Sequence, residues 1–522
     1  MATNGHDSRT EDASNDSAIR DFVELGLAKH GRPDAANEAT PFEKHVQYDE
    51  QSAEEINAKL VTWDGPTDTS NPKNWSIRKR HVACVLLSFF NVVGPLSSAI
   101  IAPALPTMEK DLHASETVGV MILSIYMLAF SVGPLITSPL SEMYGRIIVL
   151  QGSNAFFWVF NTACGFATTP WQMLTFRFLS GLGGCAAQSI GGAIMGDMFN
   201  PLERGKAVAI YSIAPLLGPV LGPLCGGTLT QFASWKWCFW VISILDVFVQ
   251  IAGFAFLSET YAPVLLRRKK NLLVKETGNR NLVTEYDGNL KWKALLKKNM
   301  KRPSNMLLTQ PIVQIMGIYS SYAYGLAFML SATMPMVYEG VYDQQPAIAS
   351  LNYLPPTIGV IVMSQINQIA GNFIYKRLIA RAPDKKAQPE FRVPLLFPGT
   401  ISAAVGLLWY GWSAQAKLHV VMPNVGTVIL TAGTNVSFYC VNQYLIDAYA
   451  VHAASALGAA TILRGVFGFV IPLIAPKMFL QLGFGIGNSI LAVVAVVVGL
   501  PCFFLIWRWG SVLRGKSLFA KK

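Results

Sequence analysis

Hydrophobic residues in this chain gather into long stretches that are separated by polar segments. A helix that crosses the apolar core of a bilayer needs roughly 20 mainly apolar residues. Twelve stretches meet that requirement, in a group of six, a polar break and a second group of six. Numbered as spans 1 to 12, they cover residues 82–105, 118–137, 147–167, 171–195, 207–230, 238–257, 310–334, 347–370, 394–414, 420–446, 457–480 and 486–507. The pattern predicts an all-α integral membrane protein with twelve transmembrane helices in two six-helix halves.

The composition agrees with this prediction and divides the chain into five regions. Of 522 residues, 52% are hydrophobic and only 14% are charged, which is typical of a polytopic membrane protein. Residues 1–70 carry 15 acidic against 6 basic side chains and lack sustained apolar periodicity, which predicts a disordered tail with at most a short helix near residues 19–29. The predicted regions are this tail (1–70), the first half (71–258), a central loop (259–308), the second half (309–510) and a C-terminal tail (511–522).

Lysine and arginine are concentrated on one side of the predicted membrane. They occupy the segment before span 1, the central loop, the loop after span 8 and the C-terminal tail, whereas the opposite loops hold little more than Lys110, Lys236 and Lys417. Because positive loops stay in the cytoplasm, we expect both termini to be cytoplasmic. Residues 290–303 of the central loop fit either a basic amphipathic helix on the anionic inner leaflet or a solvated linker.

The sequence indicates neither an enzyme nor a metal protein. It contains no paired nucleophile and base, and its seven cysteines and seven histidines are scattered without metal-ligand spacing. The basic residues lie beside predicted spans without a nucleic-acid-binding fold, so nucleic acid is not an expected partner. We expect no catalytic residue, no metal and no cofactor.

Polar side chains inside the spans are the candidates for function, because they are costly in lipid and usually face a packed interior or a water-filled path. In span 4, Arg177 and Gln188 share one helical face with three glycines. A permanently charged guanidinium is an expensive way to join helices that an amide could join, so Arg177 is expected to be functional. Asp246 in span 6 either titrates during function or pairs with another polar group.

Further polar residues in the spans predict a substrate pathway. An amide or tyrosine in a span is equally consistent with an interhelical hydrogen bond that only holds the bundle together. The expected pathway residues are Asn91, Gln188, Gln314, Tyr324, Asn435, Tyr439 and Asn442.

The short loop after span 2 reads SPLSEMYGRII at residues 138–148. It places Glu142 four residues before Arg146, with Gly145 between them, at a membrane face where little else is polar. A salt bridge or helix-end interaction that forms there in one conformation and breaks in another would bias a two-state protein.

Taken in order, these segments resemble the major facilitator superfamily, and more narrowly its fungal branch of twelve-span drug:proton antiporters. The resemblance covers roughly residues 71–520 and rests on the order and spacing of several short motifs. They are NPKNWS (71–76), SPLSEMYGR (138–146), RFLSGLGG (177–184), DMFNPLERGKA (197–207), GPVLGPLCGG (218–227), WKWCFW (235–240), SETYAPVLL (258–266), YLID (444–447) and GKS (515–517).

The resemblance implies roles for three motifs. The loop after span 2 would control gating through Glu142, Gly145 and Arg146. Arg177 would be linked to proton transfer. Asp246 is a second proton-coupling candidate, but only because of its own position in span 6 and not through the resemblance. The antiporter signature of span 5 falls on Gly218, Pro219, Gly222, Pro223, Gly226 and Gly227.

The glycines and prolines of span 5 have a physical reading in such a bundle. Neighbouring helices and local adjustments satisfy the carbonyl groups that proline leaves unpaired. The glycines present a face without side chains, along which an adjoining helix approaches closely and slides, and the prolines supply a bend around which a half can rock.

Two departures and one internal echo accompany the resemblance. Ser138 stands where the family usually has glycine, and Ile147 where it usually has a second basic residue. The loop after span 8 contains GNFIYKR, in which Lys376 and Arg377 match the basic end of the span 2 loop and Asn372 replaces the acid.

The resemblance implies a proton-coupled exporter of a drug, toxin or secondary metabolite that works by alternating access and draws on the proton gradient. A proton-driven importer and a non-transporting receptor or sensor on the same fold are the alternatives. A pathway of amides and tyrosines with few fixed charges suits neutral or weakly cationic, moderately hydrophobic molecules. We expect a monomer in the plasma membrane or the vacuolar membrane.

Overall fold

The computed structural model describes residues 60–286, 303–382, 387–449, 452–515 and 517. Residues 1–59 of the predicted tail, with the possible short helix near 19–29, lie outside these ranges. The amphipathic helix predicted at 290–303 lies outside them except for its last residue.

The first half contains six spans, as predicted. Its helices are Ile77–Ala99 (span 1), Glu116–Val132 and Pro134–Tyr144 (span 2), Arg146–Cys164 (span 3), Pro170–Gly184 and Ala186–Met198 (span 4), Pro201–Phe232 (span 5) and Lys236–Phe256 (span 6). Gly133 and Cys185 interrupt spans 2 and 4 but keep helical backbone angles, so each pair of helices is one span. The side chains of Ser76 and Thr169 accept a hydrogen bond from the first turn of spans 1 and 4, which explains where these helices begin.

The second half also contains six spans, and the last two are helices that follow one another directly at Gly483. Its helices are Pro311–Tyr338 (span 7), Leu354–Arg381 (span 8), Leu396–Gln415 (span 9), Val421–Tyr449 (span 10) and Ala453–Gly515 (spans 11 and 12). The stretch Ala453–Gly515 has 63 residues, which is enough for two spans of roughly 20 residues each. At Gly483 the backbone turns to a φ of 80°, a region that favours glycine, and spans 11 and 12 meet there.

The count of membrane-crossing helices agrees with the twelve predicted spans. Nine helical stretches of the described residues are long and apolar enough to cross a bilayer, and one of them, Ser455–Gly515, contains two spans. Pro201–Phe232 and Val421–Tyr449, with 32 and 29 residues, have the length of a span and complete the set. Large apolar side chains such as Phe248, Ile251 and Phe254 are exposed on span 6, as expected of a surface that faces lipid.

Because short segments join most consecutive spans, the spans run in alternating directions. We call the side at which span 1 begins and span 12 ends the terminal face, and the other side the opposite face. The terminal face carries the short 3₁₀ helices Pro72–Asn74 and Pro389–Arg392. The opposite face carries the 3₁₀ helix Ala102–Ala104 and the short helices Leu105–Asp111 and Pro346–Leu351.

A small unit separate from the bundle combines the end of the N-terminal tail with part of the central loop. Strands Leu60–Val61 and Val283–Thr284 pair in parallel, the helix Ala262–Thr277 lies between them in the chain, and Lys269 forms an ion pair with Asp64. Leu60 and Val61, which lie within the region predicted as a disordered tail, thus form a strand. Residues 259–261 of the predicted central loop pack with the bundle.

Candidate functional site

A central cavity of about 310 Å³ lies between the two halves of the bundle. Spans 1, 2, 4 and 5 line it from the first half, and spans 7, 8 and 10 from the second half. Its wall includes the rings of Phe130, Tyr324, Phe328 and Tyr353 and the amide of Gln188, and none of the described residues in the wall is charged. A mostly apolar cavity with a few polar groups is typical of a site for a small organic molecule.

Span 5 turns its prolines toward this cavity. Pro215, Pro219 and Pro223 follow one another at intervals of four residues, and all three line the wall. A helical proline leaves the carbonyl four residues earlier without its usual N–H donor. For Pro215 that carbonyl belongs to Tyr211, and the side-chain amide of Asn91 in span 1 lies 3.5 Å from it as a donor. Asn91, predicted to line the substrate pathway, thus instead supports the proline-containing helix.

The glycines of span 5 lie on a different face, against span 1. A Cβ atom at Gly222 would lie 2.8 Å from the Cβ of Ala99, closer than real Cβ atoms come to their neighbours. A Cβ atom at Gly218 would lie equally close to the backbone of span 1, and a Cβ atom at Gly226 would overlap the carbonyl oxygen of Ile100. The close helix approach predicted for these glycines is thus a contact with span 1 of the same half.

The two halves contact each other at the opposite face, next to the cavity. The side chain of Gln231, at the end of span 5, donates to Gln345 Oε1 at 2.8 Å and accepts from the backbone N–H of Ala347 at 2.9 Å. Gly227, one turn earlier, lies so close to the second half that a Cβ there would be 2.6 Å from the carbonyl oxygen of Pro346. We call this set of contacts the opposite-face latch.

Arg177 is fully buried inside the first half. Its guanidinium carbon lies 4.3 Å from the ring centroid of Tyr126, its Nε donates to the carbonyl of Ile122 at 3.3 Å, and its Nη1 donates to the carbonyl of Ser97 at 3.3 Å. Its Nη2 has no hydrogen-bond partner, and none of the ion pairs among the described residues involves it. Arg177 is thus a buried cation whose described partners are two carbonyl groups, the Ser97 hydroxyl and the rings of Tyr126 and Phe239, without a carboxylate.

Asp246 is also fully buried in the first half. Its Oδ1 accepts a hydrogen bond from Asn154 at 2.8 Å, and its Oδ2 has no partner. Asn154 also donates to Gln250 Oε1 at 2.8 Å. A buried carboxylate without an ionic partner is costly, and a proton on the unpaired oxygen removes that cost. Asp246 therefore stands in an environment that suits proton uptake and release.

A chain of hydrogen bonds leads from Arg177 toward Asp246 without joining them in an ion pair. Ser97, which contacts Arg177, donates to Asn161 Oδ1 at 2.9 Å, and Asn161 donates to Ser243 Oγ at 2.9 Å. Ser243 precedes Asp246 by three residues, or about one helical turn. The two residues that the sequence singled out separately therefore belong to one polar strip through spans 1, 3, 4 and 6.

Arg146 anchors the loop between spans 2 and 3 at the terminal face. Its Nε lies 3.4 Å from Oδ2 of Asp197 at the end of span 4, and its Nη1 donates to Ser141 Oγ at 2.8 Å. Its guanidinium carbon also lies 4.4 Å from the ring centroid of Tyr261. The described ion pair of Arg146 is therefore with Asp197, while Glu142 lies half-buried in the last turn of span 2.

Gly145 has a φ of 111°, which a residue with a side chain rarely adopts. A side chain there would overlap the carboxylate of Glu259, which follows span 6. That carboxylate accepts a hydrogen bond from the backbone N–H of Arg146 at 2.9 Å and so holds the start of span 3. Spans 3, 4 and 6 are tied together at the terminal face through this one loop.

The second half repeats this arrangement around Arg392. Its Nε donates to Oδ2 of Asp447 at the end of span 10 at 2.9 Å, and its Nη1 donates to Asn372 of span 8 at 3.2 Å. Its guanidinium carbon lies 3.8 Å from the ring centroid of Tyr375. The basic counterpart of Arg146 is thus Arg392, not the Lys376 and Arg377 that the sequence echo indicated, because pairing depends on which loop residue reaches the aspartate.

The predicted pathway residues divide into two groups in the structure. Gln188 and Tyr324 line the central cavity. Gln314 instead donates to the backbone carbonyls of Leu307 and Leu308, which precede span 7. Its amide therefore caps a helix end.

The predicted pathway residues of span 10 lie away from the cavity wall. Asn435 accepts a hydrogen bond from Asn367 of span 8 at 2.9 Å, and the ring of Tyr439 packs on Gly371 of the same span. Asn442 is half-buried on span 10. Asn435 and Tyr439 therefore connect spans 8 and 10. Such contacts between helices are the alternative role that the sequence left open for polar residues in spans.

Sequence reasoning missed one charged residue near the cavity, Arg464 in span 11. It is half-buried, and its Nη2 donates to Thr461 Oγ1 at 2.7 Å. Its Nε is enclosed without a hydrogen-bond partner, and its guanidinium carbon lies 6.0 Å from the ring centroid of Phe438. The signal was available, because Arg464 is the single arginine in the apolar stretch 457–480.

Comparison with known proteins places this geometry in a family. Residues 87–472 match the family model described as Major Facilitator Superfamily. The chain is 42% identical over 463 residues to the efflux pump vrtL of Penicillium aethiopicum, covering 88% of this chain and 91% of that protein. It is 37% identical over 477 residues to the MFS-type transporter oryF of Aspergillus oryzae, covering 89% of this chain and 98% of that protein.

Solved structures show the same fold. A crystal structure of a D-xylose-proton symporter superposes with a TM-score of 0.62 over 84% of this chain and 99% of that chain, at 13% sequence identity. A bacterial homologue of the human lysosomal transporter Spinster, in an inward-facing and unoccupied conformation, superposes with a TM-score of 0.59 over 84% of this chain.

Proposed function

This chain belongs to the major facilitator superfamily, and from that premise we propose that it is a proton-coupled exporter of a moderately hydrophobic organic compound, such as a drug, toxin or secondary metabolite. It is a multi-pass membrane transporter rather than an enzyme, like the fungal transporters to which it is similar. The similarity to an efflux pump of Penicillium aethiopicum supports export over import.

The central cavity carries this proposal. Both halves line it, and the opposite-face latch joins them on one side of it. Rocking of one half against the other would expose such a cavity to one face at a time, which is alternating access. Its apolar and aromatic wall favours a compound that gains free energy by leaving water.

Efflux measured in a host without pumps of its own tests the proposal. Cells that express the chain should accumulate less of at least one compound of an aromatic panel, and a protonophore should abolish the difference. Ala327→Trp, which fills the cavity, should abolish export, whereas Ile318→Trp on the exposed side of span 7 should not. Increased accumulation would indicate an importer, and binding without transport in either direction would indicate a receptor.

Asp246 is the residue that we propose to exchange protons in the polar strip of the first half. Asp246→Asn should shift or flatten the pH profile of export, because an amide of similar shape cannot titrate. Initial efflux rates over a series of external pH values measure the effect. Asn154→Ala removes the hydrogen bond but keeps the carboxyl group, so it should retain a pH dependence. A wild-type profile in the Asp246 variant would mean that this carboxyl group only supports packing.

The opposite-face latch predicts a second result. Gln231→Leu removes two hydrogen bonds between the halves, each worth about 1 kcal/mol, so the cavity should open toward the opposite face about thirtyfold more often. The rate at which a membrane-impermeant maleimide labels Ser331→Cys in the cavity wall measures this opening. Gln172→Leu, in the exposed first turn of span 4 at the same face, is the matched control and should not change the rate. Equal labelling rates would show that other contacts close the face.

We also propose that the terminal face is cytoplasmic and that the protein acts as a monomer in the plasma membrane. The Lys and Arg asymmetry of the loops supports the orientation. Tags at residues 2 and 522 should stay hidden from antibodies in intact cells, and a tag between Gly340 and Asp343 should be detected. External detection of either terminus would reverse the orientation, and fluorescence on internal membranes would place the protein in the vacuole.

A further inference from the structure

We infer that the central cavity binds its substrate as an aromatic anion, a phenolate or an aromatic carboxylate, whose negative charge pairs with Arg464. This inference rests on the proposed transport site and names the class of compound that occupies it. It differs from the neutral or weakly cationic substrate that the sequence favours, because Arg464 was not among the residues considered there.

Arg464 lies one helical turn from the point at which span 11 meets the cavity wall. Gly468, four residues further along the span, lies so close to Tyr324 that a Cβ there would be 3.1 Å from its ring. Tyr324 is part of the wall. Phe438 completes the connection, since its ring centroid lies 6.0 Å from the guanidinium carbon of Arg464 and 5.8 Å from the ring centroid of Tyr324. The cation therefore lies beside the aromatic wall, on its terminal side.

The charge of Arg464 has no protein counterion among the described residues. Thr461 of its own helix is its single hydrogen-bond partner there, and Nε is enclosed without one. The two arginines at the terminal face differ in this respect, because Arg146 pairs with Asp197 and Arg392 pairs with Asp447. An unpaired guanidinium in a low-dielectric interior is costly, and an anionic ligand group would offset that cost.

The wall beside Arg464 suits the aromatic part of such a ligand. Tyr324 and Phe328 pack with ring centroids 4.8 Å apart, and Phe130 faces the same cavity from span 2. Aromatic rings bind one another through offset or edge-to-face contacts, which a flat ligand can extend. The described acidic residues near the bundle interior lie elsewhere, with Glu109 and Glu339 in a separate pocket at the opposite face. An anion in the central cavity therefore meets a cation and aromatic surface without a described carboxylate in the wall.

Binding of two matched probes to the purified full-length protein in lipid nanodiscs tests the inference. The probes are 1-naphthoate, which is an anion at pH 7, and methyl 1-naphthoate, which keeps the ring system but has no charge. The wild-type protein should bind the acid about tenfold or more tightly than the ester, the range expected of a charge-assisted contact. Arg464→Gln should weaken acid binding about tenfold and leave ester binding within about twofold, whereas Arg464→Lys should keep part of the preference.

Three outcomes would overturn the inference. They are equal or tighter binding of the ester by the wild-type protein, wild-type acid binding by the glutamine variant, and binding of neither probe by the wild-type protein. If the glutamine variant binds neither probe, the lysine variant decides, because loss of the acid preference with a retained charge contradicts a role for that charge. The assay needs no gradient, so its result is independent of the efflux experiment that tests proton-coupled export.

Discussion

Replacing Gly222 with valine is expected to leave the protein in the membrane at near-normal abundance and to reduce its export by about tenfold or more. A Cβ at this position would lie 2.8 Å from the Cβ of Ala99 and 3.0 Å from the backbone nitrogen of Ile100, and valine adds two further methyl groups. Overpacking of a tight contact costs about 1 to 3 kcal/mol. That is enough to shift a rocking equilibrium by about one to two powers of ten without unfolding a twelve-span bundle.

Surface abundance and efflux, measured together, check this prediction. Gly222→Ala should be milder, since it adds one methyl group without branching. Gly152→Val is the matched control, because a Cβ at Gly152 in span 3 has no neighbour within 4 Å. Normal efflux in Gly222→Val would show that the contact between spans 1 and 5 tolerates a side chain during transport. Loss of the variant from the membrane would leave this glycine a role in folding alone.

Replacing Arg177 with alanine should leave a folded, membrane-inserted protein that binds substrate but no longer moves it against a gradient. The cavity wall contains neither Arg177 nor the residues that bond to it, so binding should persist. Coupling should fail because the single cation of the polar strip is lost, and with it the charge that responds to protonation nearby. We expect uphill export to fall by about tenfold or more while downhill exchange persists.

Substrate binding and efflux with and without a proton gradient separate these effects. Arg177→Lys keeps the charge but loses the planar fork that reaches two carbonyl groups, so intermediate coupling is expected. Arg78→Ala, at an exposed arginine near the start of span 1, is the control and should export normally. A wild-type rate in Arg177→Ala would assign this arginine to packing.

The span pattern shows what a local property of the sequence predicts well. Each span is an apolar stretch long enough to cross the bilayer, and inside lipid the backbone must satisfy its own hydrogen bonds, so such a stretch has to be helical. The twelve spans, the two halves and the family follow from this constraint and from the short motifs. The proline-rich span 5 is helical for the same reason, although its local composition resembles that of a loop.

The partners of the polar side chains show where local information ends. In the sequence, Arg146 follows Glu142 by four residues. The described ion pair of Arg146, however, is with Asp197, which is 51 residues away. Asn91 and Gln188 are both polar residues in apolar stretches. Asn91 donates a hydrogen bond to the backbone carbonyl of Tyr211 in a neighbouring helix, whereas Gln188 lines the cavity.

The sequence by itself therefore determined the membrane class, the twelve spans, the family and the separate candidacy of Arg177 and Asp246. Only the tertiary structure decided which face of each span meets the cavity, the lipid or another helix. In span 5 it turned Pro219 toward the cavity and Gly222 toward span 1, and in span 11 it placed Arg464 beside Phe438. The physical reason is that hydrophobic length acts within one helix, whereas the rotation of a helix about its axis is set by packing against neighbours distant in the chain.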